Sequence, residues 1–197
     1  MNKMKKIIGI SGVAGCGKDT MFQLLKNRGL NVKRFALADA LKKEINPILK
    51  KLYKVDIFTC DRFSKDLVRP MLVAHGKVRR VMSLGTHWTN LLSDPIKKWV
   101  ESKDNAIAVV TDIRYMEYEK DEVYWIKNLM GGKLVHLSQL NESGVALAGI
   151  NEDEAKNEPL LIKEADLNIY WPKITNFNFE DKELIKHAKR LEDFIRE

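Results

Sequence analysis

The residues with the clearest chemical use are Gly12, Val13, Ala14, Gly15, Cys16, Gly17, Lys18, Asp19 and Thr20. They follow an apolar run and carry the G-x-x-x-x-G-K spacing of a phosphate-binding loop. In such a loop the glycines let backbone N–H groups turn inward around phosphate oxygens. The next helix offers its positive end, and the lysine bridges the terminal phosphates of a nucleoside triphosphate. Asp19 stands where the usual loop has a magnesium-ligating Ser or Thr hydroxyl. An acid beside a polyphosphate repels it unless a cation lies between them. Asp19 is therefore expected on the magnesium side, directly or through water, with Thr20 hydrogen-bonding nearer the α-phosphate. A carboxylate there also complements a helix N-terminus, and the two readings are compatible. Cys16 is expected to contribute chiefly its backbone N–H. Asp112 ends the most strand-like run of the chain, Ile107 to Thr111, where a second magnesium-associated carboxylate acting through water belongs. No N-K-x-D tetrapeptide is present, and the nearest string, Tyr53-Lys54-Val55-Asp56, lacks its first residue, which disfavours a guanine-specific switch GTPase.

Phosphoryl transfer also needs cations around the moving group and a site that holds the acceptor in line. Arginine suits this because its planar fork matches phosphate oxygens. The chain has nine arginines, and Arg69, Arg79, Arg80 and Arg114 lie among other suggestive residues, including His75, His87 and Trp88. Trp88 offers a face for a base or sugar, or belongs to the core. The stretch Ser138 to Leu160 holds no arginine, so catalytic arginines must come from elsewhere.

These residues need elements to place them. Ile7–Ile10, Val32–Ala36, Ile107–Thr111, Leu134–Leu137 and Leu167–Tyr170 read as strands. Helical spacing follows the glycine loop up to Gly29, runs from about Asp39 to Leu52, continues through the basic stretch to Arg80 with a break at Pro70, and returns over Glu117–Met130 and Lys182–Arg196. Alternation of this kind predicts an α/β fold with an open parallel sheet flanked by helices on both faces, and ligands bind beyond the carboxyl ends of such strands. The polar stretch 138–160 is long for a connection and is expected to form a lid or a loose loop.

At 197 residues, 45% hydrophobic and 31% charged, the chain can bury a sizeable core as one domain, with a helical acceptor-binding insertion at about 42–101. Two cysteines outside any metal-ligand spacing disfavour a disulfide scaffold or a zinc module. No apolar run is long enough for a membrane span or a signal peptide, so a cytoplasmic protein is expected. Lys42 to Arg80 holds eleven Lys/Arg against four acids, which accounts for the whole net charge of +7. Such local charge is either a solvated helix face or a sign of an acidic ligand.

Several strings together resemble one family. GVAGCGKDT with its Lys-Asp-Thr, Phe35 to Lys42, Arg69 to Trp88, Val109 to Tyr115 and Gly131 to Leu134 are similar to the deoxynucleoside monophosphate kinases of bacteriophages and some bacteria, within the P-loop nucleotide kinases. The resemblance spans Ile7 to Leu137 and continues more weakly to Ile169. It implies a P-loop nucleoside monophosphate kinase-like fold. It also implies transfer of the γ-phosphoryl of ATP to a dNMP, with Mg2+ as cofactor; whether a second copy of the chain is a partner, as a homodimer, is left open by the sequence. By carry-over, Lys18, Asp19 and Thr20 serve the triphosphate, while Asp39, Lys42, Arg69 and Arg79 lie near the acceptor, with Arg80 the fallback for Arg79. Arg114 is the charge-stabilising arginine, and Lys18, Arg114 and Asp112 form the catalytic set. The stretch 138–160 matches little, so no lid residues transfer. Two readings compete: a kinase for another small acidic acceptor, and an ATP-dependent nucleic-acid-binding protein that uses the basic segment. The second is disfavoured because the arginines sit among small-ligand residues.

Overall fold

The computed structural model describes residues 6–149, 151–174 and 177–197. Five strands, β1 (Ile7–Ser11), β2 (Val32–Phe35), β3 (Ile107–Ile113), β4 (Lys133–Leu140) and β5 (Leu167–Pro172), form one parallel sheet in the order β2-β3-β1-β4-β5. The central strands are buried throughout, as continuous apolar runs in a parallel sheet covered on both faces should be. Side chains alternate between the faces. Ile8, Ile10, Ile107, Val109, Val135 and Leu137 pack under α1 (Lys18–Asn27) and α7 (Lys182–Arg196). Ile7, Ala108, Val110 and Leu134 pack against Trp88, Leu92 and Ile96 of α4 (His87–Glu101) and against Trp125 and Ile126.

Between β2 and β3 the chain makes α2 (Leu37–Tyr53), α3 (Arg62–Ser83) and α4. A small cluster of Ile45, Leu49, Ile57 and Val68 ties α2 to α3. Pro70 does not break α3, which runs through it. Proline removes one helical N–H, but Pro70 lies on the exposed side, and the turns around it are pinned by Val68 and by Gly76. A Cβ at Gly76 would stand 2.7 Å from Leu41 Cδ1, so glycine there lets α2 and α3 approach without turning the end of that leucine aside.

The helix expected over Glu117–Met130 starts only at Glu122, as α5 (Glu122–Tyr124), and widens into a π turn over Trp125–Leu129. The Asp121 carboxylate accepts from the amides of Glu117 (2.9 Å), Tyr118 (3.3 Å) and Glu122 (2.9 Å), which fixes the preceding residues as a turn. Strand β4 extends past Leu137 because Ser138 and Gln139, though polar, are buried and pair with Tyr170 and Trp171. The stretch 138–160 is thus the end of β4, an irregular segment and the first part of α6 (Glu152–Glu164), with Ile150 outside the described residues. Strand β5 continues into Pro172, which an edge strand tolerates. No helix among the described residues is long and apolar enough to cross a membrane.

Candidate functional site

The loop between β1 and α1 is shaped by glycine. Gly12 and Gly17 have φ of 131° and 96°, a region that side chains rarely adopt. A Cβ at Gly12 would lie 2.2 Å from Leu137 O, and one at Gly17 would lie 2.4 Å from Trp171 Cζ2. The loop is therefore clamped between β4 and β5, and Trp171 Nε1 donates to Cys16 O at 2.8 Å. Lys18 folds back across it, donating to Gly12 O (2.7 Å) and Val13 O (2.8 Å). Burial pushes the Cys16 thiol up despite the opposing Lys18 charge, so it is a packed thiol rather than a nucleophile.

A cleft of about 360 Å³ opens beside the loop. Lys18, Asp19, Thr20, Arg34, Lys42, Asp112 and Arg114 line it. Asp112 sits where β3 ends, and its two oxygens accept from the amides of Leu37 (2.8 Å) and Ala38 (2.7 Å). It thereby caps α2, whose own N-cap residue, Ala36, has no side-chain acceptor. Helix α2 accordingly begins at Leu37, and Asp39 falls in its first turn rather than capping it. Burial pushes the Asp112 carboxyl up, against the pull of the Ala38 and Leu37 amides. Each oxygen still has a lone pair for a water in the cleft.

Sequence reasoning gave Arg34 no role, yet it bridges Asp19 Oδ1 and Asp39 Oδ2, both at 2.7 Å, while Lys42 Nζ reaches Asp39 Oδ1 at 3.1 Å. Burial raises the Asp39 carboxyl, but the Arg34 and Lys42 hydrogen bonds outweigh this and hold it below the usual carboxylate range. Arg34 lies at the carboxyl end of β2, the position where ligands of parallel sheets bind, and that placement was the available signal. Glu154 of α6 was also missed. Its Oε2 accepts from Ala14 N at 3.3 Å, and its Oε1 meets Arg114 Nη1 at 3.0 Å.

The other acceptor candidates separate. Arg79 joins a second cluster, in which Glu44 takes Arg79 Nε (2.6 Å), His75 Nε2 (3.1 Å) and His87 Nε2 (2.8 Å). The Arg79 side chain stays 42% exposed and reachable. Arg69 lies on the outer side of α3 against Asp66, 2.7 Å away, and does not line the cleft. Trp88 is 4% exposed, edge-on to His87 with ring centroids 4.4 Å apart, so it is core and presents no face to a base.

Arg80 is also not an acceptor residue. Its guanidinium is buried, paired with Asp121 through two 2.9 Å bonds and with Glu117 at 3.2 Å and Glu122 at 3.4 Å, and it stacks on Tyr115. Three carboxylates therefore surround one fixed cation. Burial pushes the Glu122 carboxyl up to about 8; Arg80 opposes this and the Asp121 charge adds to it. Folding thus raises this value above the roughly 4.3 of an unfolded glutamate, and the folded chain holds a proton that the unfolded chain releases. The resulting stabilisation is complete below about pH 4 and is lost as pH rises towards about 8. Thermal midpoints followed from about pH 5 to about 8.5 should fall more steeply for the native chain than for Glu122→Gln. Parallel slopes would show that Glu122 is ionised in the fold.

No family model matches the chain, and no curated protein sequence matches it. Among solved structures it is similar to shikimate kinase from Acinetobacter baumannii in complex with shikimate, at 14% identity over 98% of this chain and 94% of that one, with a TM-score of 0.47. It is also similar to TT1252 from Thermus thermophilus (16% identity, 98% of each chain, TM-score 0.49). A third is dephospho-CoA kinase from Campylobacter jejuni (14% identity, 98% of each chain, TM-score 0.44). Likenesses this distant assign no substrate.

Proposed function

We propose that the chain is an ATP-dependent phosphotransferase that moves the γ-phosphoryl of ATP to the 5′-phosphate of a deoxynucleoside monophosphate, giving ADP and a dNDP. The observation that carries this reading is the cleft itself. A phosphate loop with its lysine shares a single opening with three further cations, Arg34, Lys42 and Arg114. One polyphosphate needs the loop, and a second phosphate group would take these cations from the Asp19, Asp39 and Glu154 carboxylates they now pair with. The choice of a deoxynucleotide rests on the sequence resemblance.

In this reading the loop amides and Lys18 hold the β- and γ-phosphates. Lys42 and Arg34 orient the acceptor phosphate, and Arg114 stabilises the spreading charge of the moving group. An acceptor phosphate oxygen forms the new bond to the γ-phosphorus as the bond to the β,γ-bridging oxygen breaks, and ADP carries the electron pair away. Among the described residues no cluster of three or more His, Cys, Asp or Glu side chains suits a metal ion. The oxygen donors present still fit Mg2+, which binds nucleotide sites through one or two protein groups plus phosphates and water. Asp19 and Asp112 would hold it, the latter through water. Bound there, Mg2+ would neutralise phosphate charge. ATP labelled in the γ-phosphate should pass its label to the β position of a dNDP; label found only in inorganic phosphate would mark a hydrolase.

Arg79, reachable but outside the first cleft, is proposed to bind the far side of the acceptor. Arg79→Ala should raise the acceptor KM about tenfold with the ATP KM unchanged, because it removes one charge-assisted contact. Steady-state kinetics with each substrate varied in turn decide this, and a shift confined to ATP would contradict it.

A further inference from the structure

Helix α6 rests on the phosphate loop mainly through polar groups. Of its residues only Leu161 joins the buried apolar core, while Glu154 and Asn157 are buried beside it. Asn157 Oδ1 accepts from Met116 N at 2.9 Å, and Glu158 Oε1 lies 3.0 Å from His136 Nε2. These contacts hold the first turns of α6 so that the Glu154 carboxylate, 8% exposed, spans the Ala14 amide and the Arg114 guanidinium. Those two groups are a loop donor and the arginine that the transfer reading requires. A carboxylate bridging an inward-turned loop amide and a guanidinium makes the contacts that phosphate oxygens would make. Two anions cannot share them without repulsion.

We propose that Glu154 is a built-in competitor of the nucleotide's phosphates: it occupies Ala14 N–H and Arg114, and a seated polyphosphate must displace it, freeing Arg114 for the transferring group. The inference rests on the phosphotransferase reading and adds a control to its site. Arg114 is neutralised by Glu154 until phosphate arrives, so the charge-stabilising group is delivered together with the substrate that needs it.

The test is the affinity of the purified full chain for ATP and for inorganic tripolyphosphate, by titration calorimetry without acceptor. Native protein, Glu154→Gln and Asp153→Asn are compared after circular dichroism shows each to be folded. Glu154→Gln keeps the size of the side chain and removes its charge. It should tighten both ligands about tenfold, the size of one charge-assisted contact no longer opposed. Tripolyphosphate should gain as much as ATP, because the competition is for phosphate alone. Asp153 is exposed on the same helical turn, and Asp153→Asn should change either affinity less than about twofold, which separates contact from general charge. Unchanged or weaker binding by Glu154→Gln would overturn the proposal and leave Glu154 a positioning residue for Arg114. A gain confined to ATP, or an equal gain in Asp153→Asn, would also overturn it. If native chain and both variants bind neither ligand, the phosphotransferase reading falls and this inference falls with it.

Discussion

Lys18→Ala should lower turnover about a thousandfold or more while the thermal midpoint moves little. The ammonium is the one loop cation placed to follow the γ-phosphoryl, and it sits 2.7–2.8 Å from two carbonyls of its own loop. Bound phosphate oxygens offer it a stronger partner than neutral carbonyls do, so the side chain is held ready without being locked. Its loss removes charge stabilisation that grows as the transition state forms, which lowers kcat rather than raising the ATP KM alone. The loop should keep its shape, because the clamp of Gly12 and Gly17 between Leu137 and Trp171 does not involve Lys18. A folded Lys18→Ala protein with turnover within about tenfold of native would remove the loop from the chemistry.

Arg80→Met should do the opposite, with a large loss of stability and little change in the kinetics of the folded molecule. Methionine keeps most of the apolar stem but leaves the buried Asp121 without the cation it meets through two hydrogen bonds. Breaking a buried pair by removing one partner costs about 3–5 kcal/mol, which in a chain of this size lowers the melting temperature by roughly 10 °C. Calorimetric melting and acceptor KM measured on the same preparation separate this from a binding role. An unchanged melting temperature with a raised acceptor KM would return Arg80 to the acceptor site.

The contrast between Arg79 and Arg80 shows how far the sequence reaches. Adjacent arginines in a basic segment look equivalent as letters, and the helix then sends one towards Glu44 and the other into a nest of three acids. That nest is assembled from residues about forty positions away, and no local spacing announces it. Strands β1 and β3 were legible because strands buried on both faces must be continuously apolar, and the phosphate loop because its glycines answer to backbone geometry. Strand β4 was read short because Ser138 and Gln139 are polar yet buried. The late start of the expected helix, at Glu122, depends on one carboxylate, Asp121, gathering three amides, which composition does not reveal. Pro70 misled for a related reason, since propensity describes an isolated helix and packing of α3 against α2 overrides it. Within the site, Lys18, Asp19, Asp39, Lys42, Asp112 and Arg114 come together around one cleft. Glu154 stayed hidden because its role exists only through the docking of α6, a helix that brings few apolar residues to the core.

The most direct test of the central claim is ADP formation from ATP and Mg2+, measured against a panel of dNMPs and NMPs with acceptor-free, shikimate, dephospho-CoA and single-stranded DNA controls. Turnover should depend on one or more dNMPs, with background alone in the controls. Turnover that ignores nucleotides and follows another small acid or DNA would contradict it.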